Sequence, residues 1–183
     1  MKLKVLRKQN NSSMCVVCGL SNAASLNARF YACEGGLMVG LVTGREEHQS
    51  YPGRMHGGLI TALLDEVIGR AVNVPEPDAF GVTSEIHVKF KKPVPLNEEI
   101  RIAGRLTRNT RLLFQAEGFI EDQAGTILAT AEATYVKMSA ERIAGAPMTK
   151  EMWFLVPDDE REIELVNWDW FDREGAAHPA NHS

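Results

Sequence analysis

The sequence has no apolar run approaching the ~18 residues of a membrane-spanning helix, so nothing in it reads as a span. It has three cysteines, Cys15, Cys18 and Cys33, an odd number that does not suit a disulfide framework. The basic start, MKLKVLRKQN, lacks the apolar segment that a secretory signal places behind such charges. These absences predict a protein of a reducing, cytoplasmic compartment, in which the sequons at Asn10, Asn11 and Asn181 stay unmodified. Positive charge is only in slight excess over most of the chain, and an acidic tail follows. Residues 1–150 hold 18 Lys+Arg against 15 Asp+Glu, and residues 151–183 hold 2 against 9. A cationic stripe for nucleic acid is therefore missing. There is no GxSxG, P-loop or GxGxxG, no repeat and no low-complexity segment.

What is present is an ordinary globular composition, 44% apolar and 24% charged over 183 residues. A chain of this size buries roughly 70% of its unfolded surface in one core. Residues 1–26 read as a polar, irregular leader. Apolar stretches from Asn27 to Cys33 and Leu37 to Thr43 flank Gly35-Gly36 and predict a hairpin. A helix is predicted from about His56-Gly57-Gly58 to Asn73, stopped by Pro75 and Pro77. It is apolar on most sides, which places it in a core. Alternating segments follow at Val82–Phe90, Ile100–Thr107, Leu112–Glu121 and Thr126–Val136. The first puts Ile86, Val88 and Phe90 on one face and Thr83, Glu85, His87 and Lys89 on the other. Together they predict an α+β fold, one long central helix wrapped by an antiparallel five- or six-stranded sheet, within residues 27–140. Residues 141–183 read as an acidic appendage. Its three tryptophans, Trp153, Trp168 and Trp170, imply that part of it docks.

On the helix, Gly58, Thr61 and Gly69 fall within about 40° of Asp65, a narrow face of small residues around one carboxylate. Glu66 suits an i,i+4 ion pair with Arg70, which leaves Asp65 without a local partner. Such a carboxylate either bonds to a loop or neighbouring subunit, or has a chemical role. Gly57 and Gly58 open the helix, where free N–H groups and the dipole favour developing negative charge. Asp65 lies about two turns further on, too far to share a reacting carbonyl with that end of its own helix. A second copy of the helix could close the gap, so the sequence predicts a site shared between subunits.

His56-Gly57-Gly58, six residues, then Leu64-Asp65-Glu66 resembles the hotdog-fold acyl-CoA thioesterases of the PaaI-like branch. The approach His48 to Gly53, the strand Val82 to Phe90 with Lys91 to Leu96, the leader Cys15-x-x-Cys18-Gly19-x-x-Asn22 and Leu26 to Phe30 are similar as well. The resemblance covers roughly residues 15–138. It implies Asp65 as nucleophile or general base, Gly57 as the oxyanion N–H, and His56 as a group that orients the thioester or aids the leaving thiolate. It implies that Thr83 holds the attacking water. Ser50 stands where other members carry Asn or Gly, and Glu66 is the alternative acid. It implies a homodimer or homotetramer, an acyl-CoA substrate, and no metal or organic cofactor. Lys91, Arg108 and Arg111, near strand ends, are candidates for the CoA phosphates. A hotdog that binds acyl-CoA without turning it over is the alternative, and a hydratase the third, although its Asp/His motif is not found. Cys15-x-x-Cys18 with Cys33 lacks a fourth zinc ligand and a thioredoxin-like setting, so the cysteines read as structural or incidental. His87 reads as a surface residue, and His178 and His182 as part of a polar end.

Overall fold

The computed structural model describes residues 1–147 and 149–173. His178, His182 and Asn181 lie outside them. In chain order the elements are β1 (Lys2–Lys8), β2 (Asn11–Ser12), β3 (Arg29–Cys33), β4 (Leu37–Thr43), helix α1 (Gly57–Arg70), β5 (Gly81–Phe90), β6 (Glu99–Asn109), β7 (Leu113–Glu121), β8 (Ile127–Lys137), the short α2 (Ala140–Ala144), β9 (Trp153–Phe154) and β10 (Glu162–Glu164). Gly35 and Gly36, with φ of 74° and 76°, turn β3 into β4, a conformation that side chains with a Cβ rarely adopt.

Every pairing among the described residues is antiparallel, and the main sheet runs β10-β1-β3-β4-β6-β7-β8-β5. The six strands between residues 29 and 137 are the wrap that the alternating pattern predicts. Two strands go beyond it. Residues 2–8, read as irregular, form β1, and β10 from the acidic appendage pairs with it. Both are short and carry mostly charged side chains, so their burial pattern is too thin to read as a strand. Leu112, the expected first residue of the segment Leu112–Glu121, instead sits exposed in the bend before β7.

Because side chains alternate across a strand, the sheet builds two cores. On one face, Phe30, Met38, Ile100, Ile102 and Phe114 pack against Leu63, Leu64, Val67 and Ile68 of α1. Gly104 and Gly118, paired across β6 and β7, allow Ile68 to sit almost on the backbone; a Cβ at Gly118 would lie 2.5 Å from its side chain. The opposite face, with Tyr31, Val39, Leu41 and Phe119, is covered by Ile163, Leu165, Trp170 and Phe171. The appendage therefore docks through Trp170, while Trp168 remains exposed. Glu121, fully buried, anchors it by accepting from the Val166 and Asn167 backbone N–H groups and the Asn167 side-chain amide. No helix among the described residues is long and apolar enough to cross a membrane.

Candidate active site

The helix start is built by His56. Its Nδ1 accepts from the Gly58 N–H at 2.9 Å, an N-cap formed by an imidazole rather than by a hydroxyl or carboxylate. A neutral ring that accepts at Nδ1 carries its proton on Nε2, so the exposed face of His56 offers an N–H. The cap takes up Gly58, one of the two N–H groups the sequence offered. Among the described residues the Gly57 N–H has no acceptor, and it remains the free donor at the positive end of the helix. Ser50 lies exposed in the preceding loop, its N–H bonded to the Arg54 carbonyl. Buried His48 pins that loop, with Nδ1 accepting from the Arg45 N–H and Nε2 3.2 Å from the Ala24 carbonyl.

Asp65 does have partners. The Thr83 hydroxyl donates to Asp65 Oδ1 at 2.8 Å. The Tyr135 hydroxyl shares its proton between the same oxygen at 3.0 Å and the Asp65 carbonyl at 2.9 Å. Oδ2 accepts nothing among the described residues, so one oxygen is held and the other is left to act. Thr83 reaches this position through a β-bulge. It stands opposite Tyr135, and Glu85 stands opposite Thr134, so Ser84 is an extra residue that reverses the alternation. The sequence assigned Thr83 to the face of Glu85 and His87; the bulge moves it to the helix side. Tyr135 was missed as a site residue. Its signal is a hydroxyl on the alanine-lined core face of β8, where a buried tyrosine needs a hydrogen-bond partner. Burial, then the Asp65 charge, pushes the Tyr135 phenol well above its ordinary range. Gly69 makes room for it, since a Cβ there would lie 3.1 Å from the ring.

Glu66 is occupied. Its Oε1 accepts from Arg70 Nε at 2.8 Å and Nη2 at 2.6 Å, the i,i+4 pair that the spacing suggested. The Arg70 guanidinium is itself sandwiched between the rings of Phe30 and Trp153. An open cleft of about 160 Å³ adjoins Asp65 and is lined by Thr83, Tyr135, Arg70, Phe80 and Trp153. A larger groove of about 640 Å³, lined by Glu85, His87, Arg108, Gln115 and Glu132, contains neither Asp65, Thr83 nor Tyr135. His87 there pairs with Glu85 on the surface. Lys91, Arg108 and Arg111 are all exposed. Lys91 follows the end of β5, where Phe90 faces Ala129, whereas Arg111 precedes Leu113, which faces Val136. The two ends are separated by the length of β8, so one chain does not bring these cations together.

A long helix cradled by a large antiparallel sheet is the hotdog architecture. Residues 52–129 match the family model of the thioesterase superfamily and carry this helix, its carboxylate and strands β5 to β7. The chain is 28% identical to human acyl-coenzyme A thioesterase 13 over 90 residues, 49% of this chain and 64% of that protein. It therefore spans less than two thirds of the length of that relative. It superposes on the crystal structure of a thioesterase superfamily protein with a TM-score of 0.61 and 28% identity, covering 67% of this chain and 59% of the other. The Escherichia coli PaaI protein of the phenylacetic acid degradation operon shares the fold at a TM-score of 0.57 and 16% identity, over 64% and 83% of the two chains. A hypothetical thioesterase from Streptococcus pneumoniae, solved with coenzyme A, shares it at 0.56 and 22%, over 62% and 90%.

Proposed function

We propose that this protein hydrolyses an acyl-CoA thioester to a carboxylic acid and free CoA in a site shared by two subunits. The observation that carries the reading is Asp65 itself, with Oδ1 fixed by two hydroxyls and Oδ2 free beside an open cleft. Oδ2 takes a proton from water as the oxygen adds to the thioester carbon, or adds directly. The developing oxyanion is received by the Gly57 N–H. The C–S bond then breaks with the His56 N–H alongside; in the water route the thiolate takes the proton that Asp65 received, and in the direct route water hydrolyses the acyl-Asp65 anhydride, its hydroxyl going to the acid and its other proton to the thiolate. No step calls for a metal or organic cofactor.

Gly57 and Asp65 are eight residues apart, about 12 Å along one helix, so one chain cannot apply both to one carbonyl. A homodimer paired antiparallel along β5 supplies the missing group. β5 is the edge of the main sheet, and Phe90 and Val136 are exposed there. Such pairing also brings the Lys91 end of one subunit to the Arg108 and Arg111 end of the other, which suits the CoA phosphates. The free cysteines accord with a cytoplasmic setting.

The test is thiol release from short, medium, long and aromatic acyl-CoAs by wild type and Asp65→Ala. The reading expects turnover on part of the panel, lost in the variant with fold and dimer intact. Binding of acyl-CoA without release anywhere on the panel would establish the non-catalytic alternative. Turnover surviving in Asp65→Ala would transfer the role to another group.

A further inference from the structure

The Cys15-x-x-Cys18 motif takes no part in the thioesterase reading, and the structure gives it a setting of its own. Residues 15–19 form one tight turn, closed by the Gly19 N–H on the Cys15 carbonyl at 2.8 Å. A turn of this kind places its i and i+3 Cα atoms about 5 Å apart. That lies inside the roughly 4.4–6.8 Å window of a disulfide. The two sulfurs and a Glu66 carboxylate oxygen all lie within 4.8 Å of one another.

The two thiols are unequal. Cys15 is only partly buried, and its sulfur accepts from the Val17 N–H at 3.3 Å. The Cys18 side chain beside it also favours the ionised form and lowers the Cys15 thiol from its ordinary value. Cys18 is fully buried, and the hydrogen bond to Cys15, then burial, pushes its thiol far up. A partly exposed thiol within reach of a buried one, the outer lowered and the inner raised, is the arrangement of an attacking and a resolving cysteine. Arg70 argues against a metal ion in this space. Its Nη2 lies 3.5 Å from Cys18 Sγ and 2.6 Å from Glu66 Oε1, so a cation already occupies the carboxylate.

We propose that Cys15 and Cys18 are a peroxide-oxidised dithiol that closes to a reversible intrachain disulfide against helix α1. The Cys15 thiolate takes one oxygen from the O–O bond of a hydroperoxide, which leaves as water or alcohol. Cys15 becomes a sulfenic acid. The Cys18 sulfur displaces that hydroxyl as water, and the S–S bond forms. Two thiols are oxidised and one O–O bond is reduced. The inference is independent of the thioester chemistry.

Cys33 is the internal control. It is buried in the opposite core, with its thiol raised to about 12 by burial. Trypsin separates the two cases, because residues 9–29 hold Cys15 and Cys18, and residues 30–45 hold Cys33. The experiment treats the native protein with hydrogen peroxide, then alkylates, digests and weighs. Peptide 9–29 is expected to refuse alkylation and to be about 2 Da lighter than its reduced form, reversed by dithiothreitol. Met14 sulfoxide is counted separately, about 16 Da heavier. Cys33 stays alkylatable. In Cys18→Ser, Cys15 stops at the sulfenic acid and is trapped by dimedone. Two alkylated thiols in peptide 9–29, after a dose that fully oxidises glutathione, overturn the proposal. So does one zinc ion per chain in the native mass, with both sulfurs protected until a chelator is added.

Discussion

The Asp65 carboxylate combines two requirements that usually conflict. As the proposed nucleophile or base it must be fixed to act at a defined point, yet one oxygen must stay uncommitted. Thr83 and Tyr135 both donate to Oδ1, which resolves the conflict. Asp65→Asn, which keeps shape but loses basicity, is expected to lower kcat by about 10²–10⁴-fold with an unchanged melting curve. Tyr135→Phe leaves Asp65 charged but less well held. A roughly tenfold fall in kcat and about 1 kcal/mol of stability in urea titration are expected. The raised Tyr135 phenol adds a sign that can be tested. Above about pH 10 the unfolded tyrosine ionises while the folded one stays protonated, so stability declines as pH rises. Tyr135→Phe should lose that part of the alkaline decline. An identical decline in both proteins would exclude it. Asp65 was legible in the sequence because an acid on an apolar helix draws attention. Tyr135 was not, because an aromatic on a core-facing strand position reads as packing.

At the scale of elements, helix α1 and strand β5 divide the work. The helix was legible almost to the residue, since a near-continuous apolar surface bounded by glycines and prolines admits few alternatives. The bulge at Ser84 was not. Period-two reading assumes unbroken alternation, and nothing in Val82-Thr83-Ser84-Glu85 announces an extra residue. The consequence was that the alternation grouped Thr83 with Glu85 and His87, although it touches Asp65 as the resemblance implied for a site residue. The contact between α1 and β8 depends on Gly69. Gly69→Ala is expected to displace the Tyr135 ring by a few tenths of an ångström. A loss of about 1–2 kcal/mol and a kcat defect resembling that of Tyr135→Phe should follow. Full stability with full activity would show that the ring does not need that space.

At the scale of the whole molecule, the chain closes one face of its sheet with its own helix and the other with its own C-terminal segment. The second closure was only partly legible. The tryptophans announced docking, but nothing local marked Glu121 as the anchor. Glu121→Ala removes the acceptor of three N–H groups in a fully buried place. It should cost about 2–4 kcal/mol in denaturant unfolding and expose Phe119 to dye binding, with little change in KM. The β5 edge is where the proposed second copy would pair, and on that proposal the central claim rests. Gly57→Pro deletes the proposed oxyanion N–H alone. Proline is favoured at the first helical position, and His56 already has the extended backbone, φ −65° and ψ 133°, that precedes one. Asp65→Ala and Gly57→Pro should each be inactive by themselves. The most direct measurement is thiol release after the two variants are unfolded together at equal concentration and refolded. A shared site places one intact Gly57–Asp65 pair in every mixed dimer, so activity should return to about a quarter of wild type. Activity that stays at the level of the separate variants would contradict a site built from two chains.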